Sequence, residues 1–163
     1  FFIKTYLKQE EPKWWPSKAE YDPGISAEEW VNILNNPDIF SNESLTLVAR
    51  FKDFGGEATY KQISDKYGDT VQHYNALTAS TCEKIITNAN VNKPSFADGP
   101  SDFLPVLFYR STADGDELDS CKWKLREEAS EALDRVKLSH LLLYEKNEKE
   151  VKSKTINYSI RIN

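Results

Sequence analysis

Apolar positions recur at helical spacing through the first half of the chain, and each run is bracketed by polar caps. Ser26 opens the first helix with Glu29 three residues on, a capping box; Trp30, Ile33 and Leu34 form its stripe and Asn35-Asn36-Pro37 ends it. A second helix is predicted from Ser41 or Asn42, with Leu45, Val48 and Ala49 on one face and Leu47, Phe51 and Phe54 extending the stripe to another. A helix apolar on two sides belongs at the centre of a core, and Gly55-Gly56 stops it. Thr59 with Gln62 is another capping box, opening a third helix that runs through Ile63 to Tyr67 before Gly68. Asp69 or Thr70 caps a fourth, which carries Val71, Tyr74 and Leu77 and continues to Cys82, Ile85 and Ile86. Ser80 and Glu83 repeat the capping pattern and predict a break near residue 79.

The period then changes. After a loop from Pro94 to Pro100, Leu104-Pro105-Val106-Leu107-Phe108-Tyr109 is rich in strand formers, with Pro105 predicting an edge position. Cys121-Lys122-Trp123-Lys124-Leu125 alternates with period two, and Glu127 to Val136 reads as an amphipathic helix through Ala129, Leu133 and Val136. Helix, short glycine-containing turn and helix between Glu57 and about Asn90, with a helix before and two strands after, predict a winged helix-turn-helix. The expected class is therefore α+β, a tri-helical core with a β-hairpin wing over residues 21–137. Residues 1–20 read as a short element and an extended arm, because Pro12 and Pro16 around Trp14-Trp15 forbid a continuous helix. Adjacent tryptophans on such an arm cannot both point inward, so one is offered to a neighbouring domain or a base. Residues 138–163 read as an extension, an extra hairpin or the first strand of a following domain, since Thr155 to Ile162 alternates.

Composition adds limits. Hydrophobic residues make up 39% and aromatics 12%, an ordinary globular balance. No apolar run is long enough for a membrane helix, and Phe1-Phe2-Ile3 is too short for a signal-peptide core, so a cytoplasmic setting is expected. A chain with no methionine that starts at Phe1 reads as a piece of a longer protein. Cys82 and Cys121 have neither disulfide-framework nor zinc spacing and are expected reduced and buried; His73 and His140 stand apart, so no metal site is expected.

The net charge of −5 opposes nucleic-acid binding until it is mapped. Residues 94–120 hold Asp98, Asp102, Asp114, Asp116, Glu117 and Asp119 against Arg110 alone, which accounts for all of the −5. The body is neutral and the acidity lies in and around one loop, as a solvated stretch would carry it.

No Walker A loop, G-x-S-x-G elbow or H-E-x-x-H is present, so no cofactor and no self-sufficient catalysis are expected; Glu150-Val151-Lys152 has a nuclease-like spacing without an upstream carboxylate. The helix-turn-helix offers more. Thr70, Gln72, His73 and Asn75 occupy the start of its second helix, where amides and imidazoles can read base edges. Lys61, Thr78, Ser80 and Lys84 are candidate phosphate contacts, as are Lys122, Lys124 and Arg126 along the wing strand. A solvated polar helix face and lysines guarding a sheet edge are the plain alternatives.

Three stretches together resemble a known bacterial module: Tyr21-Asp22-Pro23-Gly24-Ile25-Ser26-Ala27-Glu28-Glu29-Trp30, Gly55-Gly56-Glu57-Ala58-Thr59-Tyr60-Lys61-Gln62-Ile63 through Tyr67-Gly68, and Trp123-Lys124-Leu125-Arg126-Glu127 through Ala132-Leu133. Their order and spacing are similar to the region upstream of the AAA+ GTPase motor in McrB-type modification-dependent restriction proteins. The resemblance implies a DNA-recognition or targeting part of a restriction system, able to sense modified cytosine. It also implies double-stranded DNA as partner, a GTPase motor in the same polypeptide and a separate nuclease subunit, with no membrane. Tyr60 stands where the family carries cysteine, and Phe103-Leu104 where it carries tryptophans; these departures bear on the ligand more than on the fold. The alternative is a winged helix that binds a protein partner during assembly, in keeping with the acidic balance.

Overall fold

The structure, a computed structural model, describes residues 13–112 and 121–144. Its elements run β1 (Trp14–Trp15), α1 (Ala27–Leu34), α2 (Asn42–Asp53), β2 (Glu57–Thr59), α3 (Tyr60–Tyr67), α4 (Val71–Asn88), two 3-10 turns (Pro100–Asp102 and Leu104–Val106), β3 (Phe108–Ser111), β4 (Lys122–Leu125) and α5 (Glu127–Leu133). The acidic stretch 114–119, the Glu150-x-Lys152 spacing and the alternating tail 155–162 lie outside the described residues.

The fold is mixed α+β, as the change of period predicts. Capping decides where the helices begin. Ser26 and Glu29 form the expected reciprocal box on α1, and Thr59 and Gln62 do the same on α3. Ser41 opens α2 with Ser44 as its reciprocal partner. Between α3 and α4 the chain turns through Gly68 (φ 109°) and Asp69 (φ 62°), and Thr70 then accepts the His73 N–H to start α4. Asp69 is a side chain that tolerates the left-handed region, which lets so short a turn close.

The strands form one antiparallel sheet in the order β1-β3-β4-β2. β3 and β4 pair as a hairpin, with Phe108 opposite Leu125 and Arg110 opposite Trp123. β2 runs along the other side of β4, Ala58 facing Trp123. With period-two alternation, the register puts Trp15, Phe108, Arg110, Trp123, Leu125 and Ala58 on one face. That face meets the helices, and Trp30, Phe51, Tyr60, Ile63, Ile85, Phe108 and Leu125 belong to one continuous core. Fully burying a side chain of this kind contributes roughly 1.5–3 kcal/mol. α1 and α5 lie against each other, joining the start and end of the described fold.

Four expectations need correction. α4 is one helix from Val71 to Asn88, without a break near residue 79. Ser80 and Glu83 imitate a capping box, but Thr78 and Thr81 return their hydroxyls to the carbonyls of Tyr74 and Leu77, and no Gly or Pro interrupts the run. The first hairpin strand starts at Phe108, because Leu104-Pro105-Val106 is a 3-10 turn whose proline lacks the N–H a ladder needs. The last helix stops at Leu133, short of Val136. Trp14-Trp15 is a strand, where an extended arm was expected, and pairs with Arg110 and Ser111.

Candidate nucleic-acid interface

α4 is fixed by what it buries. Tyr74, Thr78, Thr81, Cys82 and Ile85 face the core, so Gln72, Ala76, Ser80, Glu83, Lys84 and Thr87 remain on the exposed side. Of the residues expected to read bases, Gln72 is fully presented and Asn75 is half-buried beside it. Thr70 is exposed, and its oxygen already caps the helix at 3.1 Å from the His73 N–H.

His73 departs from that group. Its Nε2 lies 2.8 Å from Glu43 Oε1 at the start of α2. The ring lines a cavity of about 320 Å3 between α2, α4 and the 140–142 segment, together with Asn42, Arg50, Asp69 and His140. A major-groove reader would have to leave that contact.

The expected phosphate contacts divide similarly. Ser80 and Lys84 lie exposed on α4. Lys61 is exposed on α3 and ion-pairs with Asp65 at 2.8 Å, one helical turn away. Thr78 is fully buried and spends its hydroxyl on Tyr74, so it contacts no phosphate. Lys122 and Lys124 alternate with Trp123 and share the sheet face turned away from the core, where the Lys124 ammonium stands 5.5 Å from the Trp14 ring centre. The two tryptophans of β1 thus divide as expected: Trp14 takes the outer face, and Trp15 packs on Phe96 with ring centres 4.9 Å apart.

Arg126 is the clearest correction. The strand ends at Leu125, so the alternation that would align Arg126 with Lys122 and Lys124 has stopped, and the side chain is 1% exposed. Its Nε donates to the Pro105 carbonyl at 2.7 Å, and its other nitrogens reach the Tyr109 hydroxyl and the Tyr21 carbonyl. The Tyr21 and Tyr109 rings lie 5.4 and 4.6 Å from the guanidinium carbon. Tyr109 passes the contact on, donating to Glu127 at 2.8 Å. Burial alone raises the Glu127 pKa, but hydrogen bonds from its own backbone and from Tyr109, with Lys124 and Lys18 nearby, outweigh it and hold the carboxyl below its ordinary range.

Sequence reasoning passed over Arg50, which is buried in α2. Its Nε donates to the Leu143 carbonyl at 2.6 Å, and Nη1 reaches Asp69 and the Tyr74 hydroxyl at 2.9 Å each. The signal was an arginine inside an otherwise apolar helical stripe. Cys82 and Cys121 are both buried, and burial pushes the Cys82 thiol well above its usual range, so neither is an exposed nucleophile.

The outer surface of α4 and the outer face of β4 can therefore offer Gln72, Asn75, Ser80, Lys84, Lys122 and Lys124 to a polyanion, while Arg126, Thr78 and His73 are engaged within the fold. Among the described residues, no helix is long and apolar enough to cross a membrane. No protein-family model, curated protein or solved structure matches the chain.

Proposed function

We propose that this chain is a winged helix-turn-helix that docks on double-stranded DNA and targets a restriction machine to it. The observation that carries the reading is the placement of β2: it lies between α2 and α3 in sequence, pairs with β4, and so ties the three-helix unit to the hairpin. That order supports α3 and α4 as the helix-turn-helix, α4 as its recognition helix, β3–β4 as the wing, and β1 as an added outer strand. Gln72 and Asn75 are then the base-edge readers, both suited to bidentate contact with adenine. Lys61, Lys84, Lys122 and Lys124 are the phosphate contacts. A GTPase motor in the same polypeptide and a nuclease subunit would supply the chemistry, and modified cytosine is the sensed feature.

Fluorescence anisotropy with methylated and unmodified duplexes at low salt tests this. Binding is expected to weaken with salt by a logarithmic slope of about −0.9 for each phosphate neutralised. Gln72→Ala with Asn75→Ala should reduce affinity while leaving the salt slope in place, because those amides touch bases and not phosphates. Failure to bind any duplex, with capture of a protein partner that the same double variant abolishes, would assign the surface to protein assembly.

A further inference from the structure

A cavity of about 210 Å3 opens between the sheet and the loop that carries Phe96 and Asp102. Trp15 and Trp123 line it from β1 and β4, on either side of Arg110 in one cross-strand row. Phe108 lines it from β3 and Phe96 from the loop. The Phe96 ring is 36% exposed, yet it is fixed: it packs on Trp15 at 4.9 Å with the planes tilted by 49°, and it meets Tyr21 edge-on at 6.0 Å. Tyr21 is itself tied down, since its hydroxyl donates to the Asn92 carbonyl at 2.6 Å. On the other side Trp123 meets Phe108 at 69° and rests on Tyr60, with ring centres 5.7 Å apart. Four held rings thus line the space, inclined to one another within each pair.

Two charged groups share the lining, and they are not equally available. Arg110 donates from Nε to the Cys121 Sγ at 3.1 Å, so its guanidinium is already engaged by the chain entering β4. Asp102 brings a carboxylate, one oxygen of which accepts the Asp98 N–H at 2.9 Å. Its other oxygen makes no hydrogen bond within the described residues, and no lysine or arginine among them pairs with it. A half-buried carboxylate beside apolar walls attracts a cation more strongly than one in open water, because less solvent screens it.

These features select a ligand. Ring faces attract cations, most strongly those that give up their water easily. A bare ammonium holds its water, whereas a fully methylated one presents methyl groups to apolar walls and keeps its charge within reach of a carboxylate. The Arg110 charge counts against any cation, but that group is engaged elsewhere, while four rings and the Asp102 carboxylate count for it. The volume lies below the range of roughly 300–1,000 Å3 typical of drug-sized ligands, and suits one head group. We infer that this cavity binds a trimethylammonium group, its methyls against Trp15, Phe96 and Trp123 and its charge toward Asp102. The group is carried either by a small free amine or by a trimethylated lysine. The inference does not rest on α4 touching a duplex: loss of duplex binding in the Gln72→Ala, Asn75→Ala variant leaves it unchanged.

The test follows the indole N–H resonances of Trp15 and Trp123 in 15N-labelled chain, assigned by single Trp→Phe substitutions, with Trp14 on the outer sheet face as the internal control. The chain is titrated at constant ionic strength with choline, with dimethylbutanol as its uncharged isostere, with ethanolamine, and with a short peptide carrying trimethyl-lysine. The Trp15 and Trp123 resonances should shift to saturation with choline, the peptide or both, and bind dimethylbutanol and ethanolamine about fivefold or more weakly. Saturation by choline makes the free amine sufficient, whereas a response to the peptide alone assigns a lysine-borne group. Phe96→Ala, which removes one wall from an exposed position, should weaken the saturating ligand by about tenfold. Asp102→Asn keeps an oxygen for the Asp98 N–H; it should weaken that ligand by about threefold to tenfold and leave dimethylbutanol where it was. Resonances unmoved by both choline and the peptide at millimolar concentration overturn the inference. So does a shift that both variants leave intact. Dimethylbutanol or ethanolamine binding as tightly as the methylated cations would overturn it too, since the charge or the methyl groups would then not be what the cavity selects.

Discussion

Two ends of the molecule are each fastened by a buried arginine, and they are fastened differently. Arg126 sits where the β4–α5 junction meets the Tyr21 turn and the Pro105 turn; its partners are two carbonyls and two tyrosines. Arg50 sits between α2, α4 and the 141–144 segment, and it adds a carboxylate, Asp69, at 2.9 Å. The Asp69 side chain is 24% exposed and so keeps part of its hydration, while every group that touches Arg126 is drawn from packed structure. The difference teaches that a buried guanidinium need not be balanced by a contacting anion. Carbonyl dipoles and ring faces arranged in a fixed fork can hold it, a geometry that lysine lacks. It also means that water can rescue one site more readily than the other.

The largest expected effect follows at Arg126. Arg126→Ala strands the Pro105 carbonyl and opens a side-chain-sized void between three segments, and should cost about 3–4 kcal/mol in denaturant unfolding. Arg126→Lys should recover little of it. A variant of ordinary stability would reverse the assignment and return Arg126 to the surface. Arg50→Ala comes next, at about 2–3 kcal/mol, because the Asp69 side chain is already partly solvated and water can replace the guanidinium there. Its loss should be local, with faster hydrogen exchange over residues 141–144 and at the start of α4, whereas Arg126→Ala should lower protection throughout the core. Equal, global effects from both would erase the distinction between the two ends.

Those two arginines also mark the limit of what the sequence discloses. The capping boxes at Ser26 and Thr59, the Gly55-Gly56 stop and the alternation of Lys122 to Leu125 are local signals, and each places an element to within a few residues. β2 left no such trace, since a three-residue strand is too short for periodicity and exists through its pairing with β4. Arg126 was misassigned for a related reason: period two continues on paper past Leu125, but the strand does not. His73 and Thr78 follow the same rule. Both lie within two turns or so of the α4 start, yet which of its faces meets α2 is settled by tertiary packing. Gln72 and Ser80 were legible because polar residues opposite an apolar stripe are exposed whatever the helix packs on. The aromatic cavity was invisible, as its walls come from positions 15, 96, 108 and 123.

The tyrosines around the arginines give a smaller effect at any one group, read through pH. Burial raises the hydroxyl pKa of Tyr21 and Tyr109 at the Arg126 end and of Tyr67 at the Arg50 end, although each arginine pulls the other way. Tyr109 is pushed up to about 12, with its hydrogen bond to Glu127 adding to burial. The folded chain thus retains protons that the unfolded chain releases near pH 10, so this stabilisation is complete below about pH 10 and declines as pH rises toward 12. Tyrosinate absorbance should lag behind an unfolded reference through that window, then rise together with the loss of circular dichroism. A full rise near pH 10 with the fold intact would show that these hydroxyls are solvated.

Asp69→Asn should have the smallest effect, and it isolates the one ingredient that separates the two ends. Asparagine tolerates the positive φ of this position (62°) about as well as aspartate, so the turn into α4 survives. What goes is the charge on Arg50 and a negative group just before the α4 N-terminus, where an anion contributes about 0.3–1 kcal/mol. Arg50 keeps the Leu143 carbonyl and the Tyr74 hydroxyl, both within 2.9 Å. If those contacts suffice, as their counterparts do for Arg126, the variant loses about 1 kcal/mol or less and residues 141–144 keep their hydrogen-exchange protection. A loss matching Arg50→Ala, with the segment released, would show that Arg50 depends on its carboxylate. The two arginines would then be held by different physics.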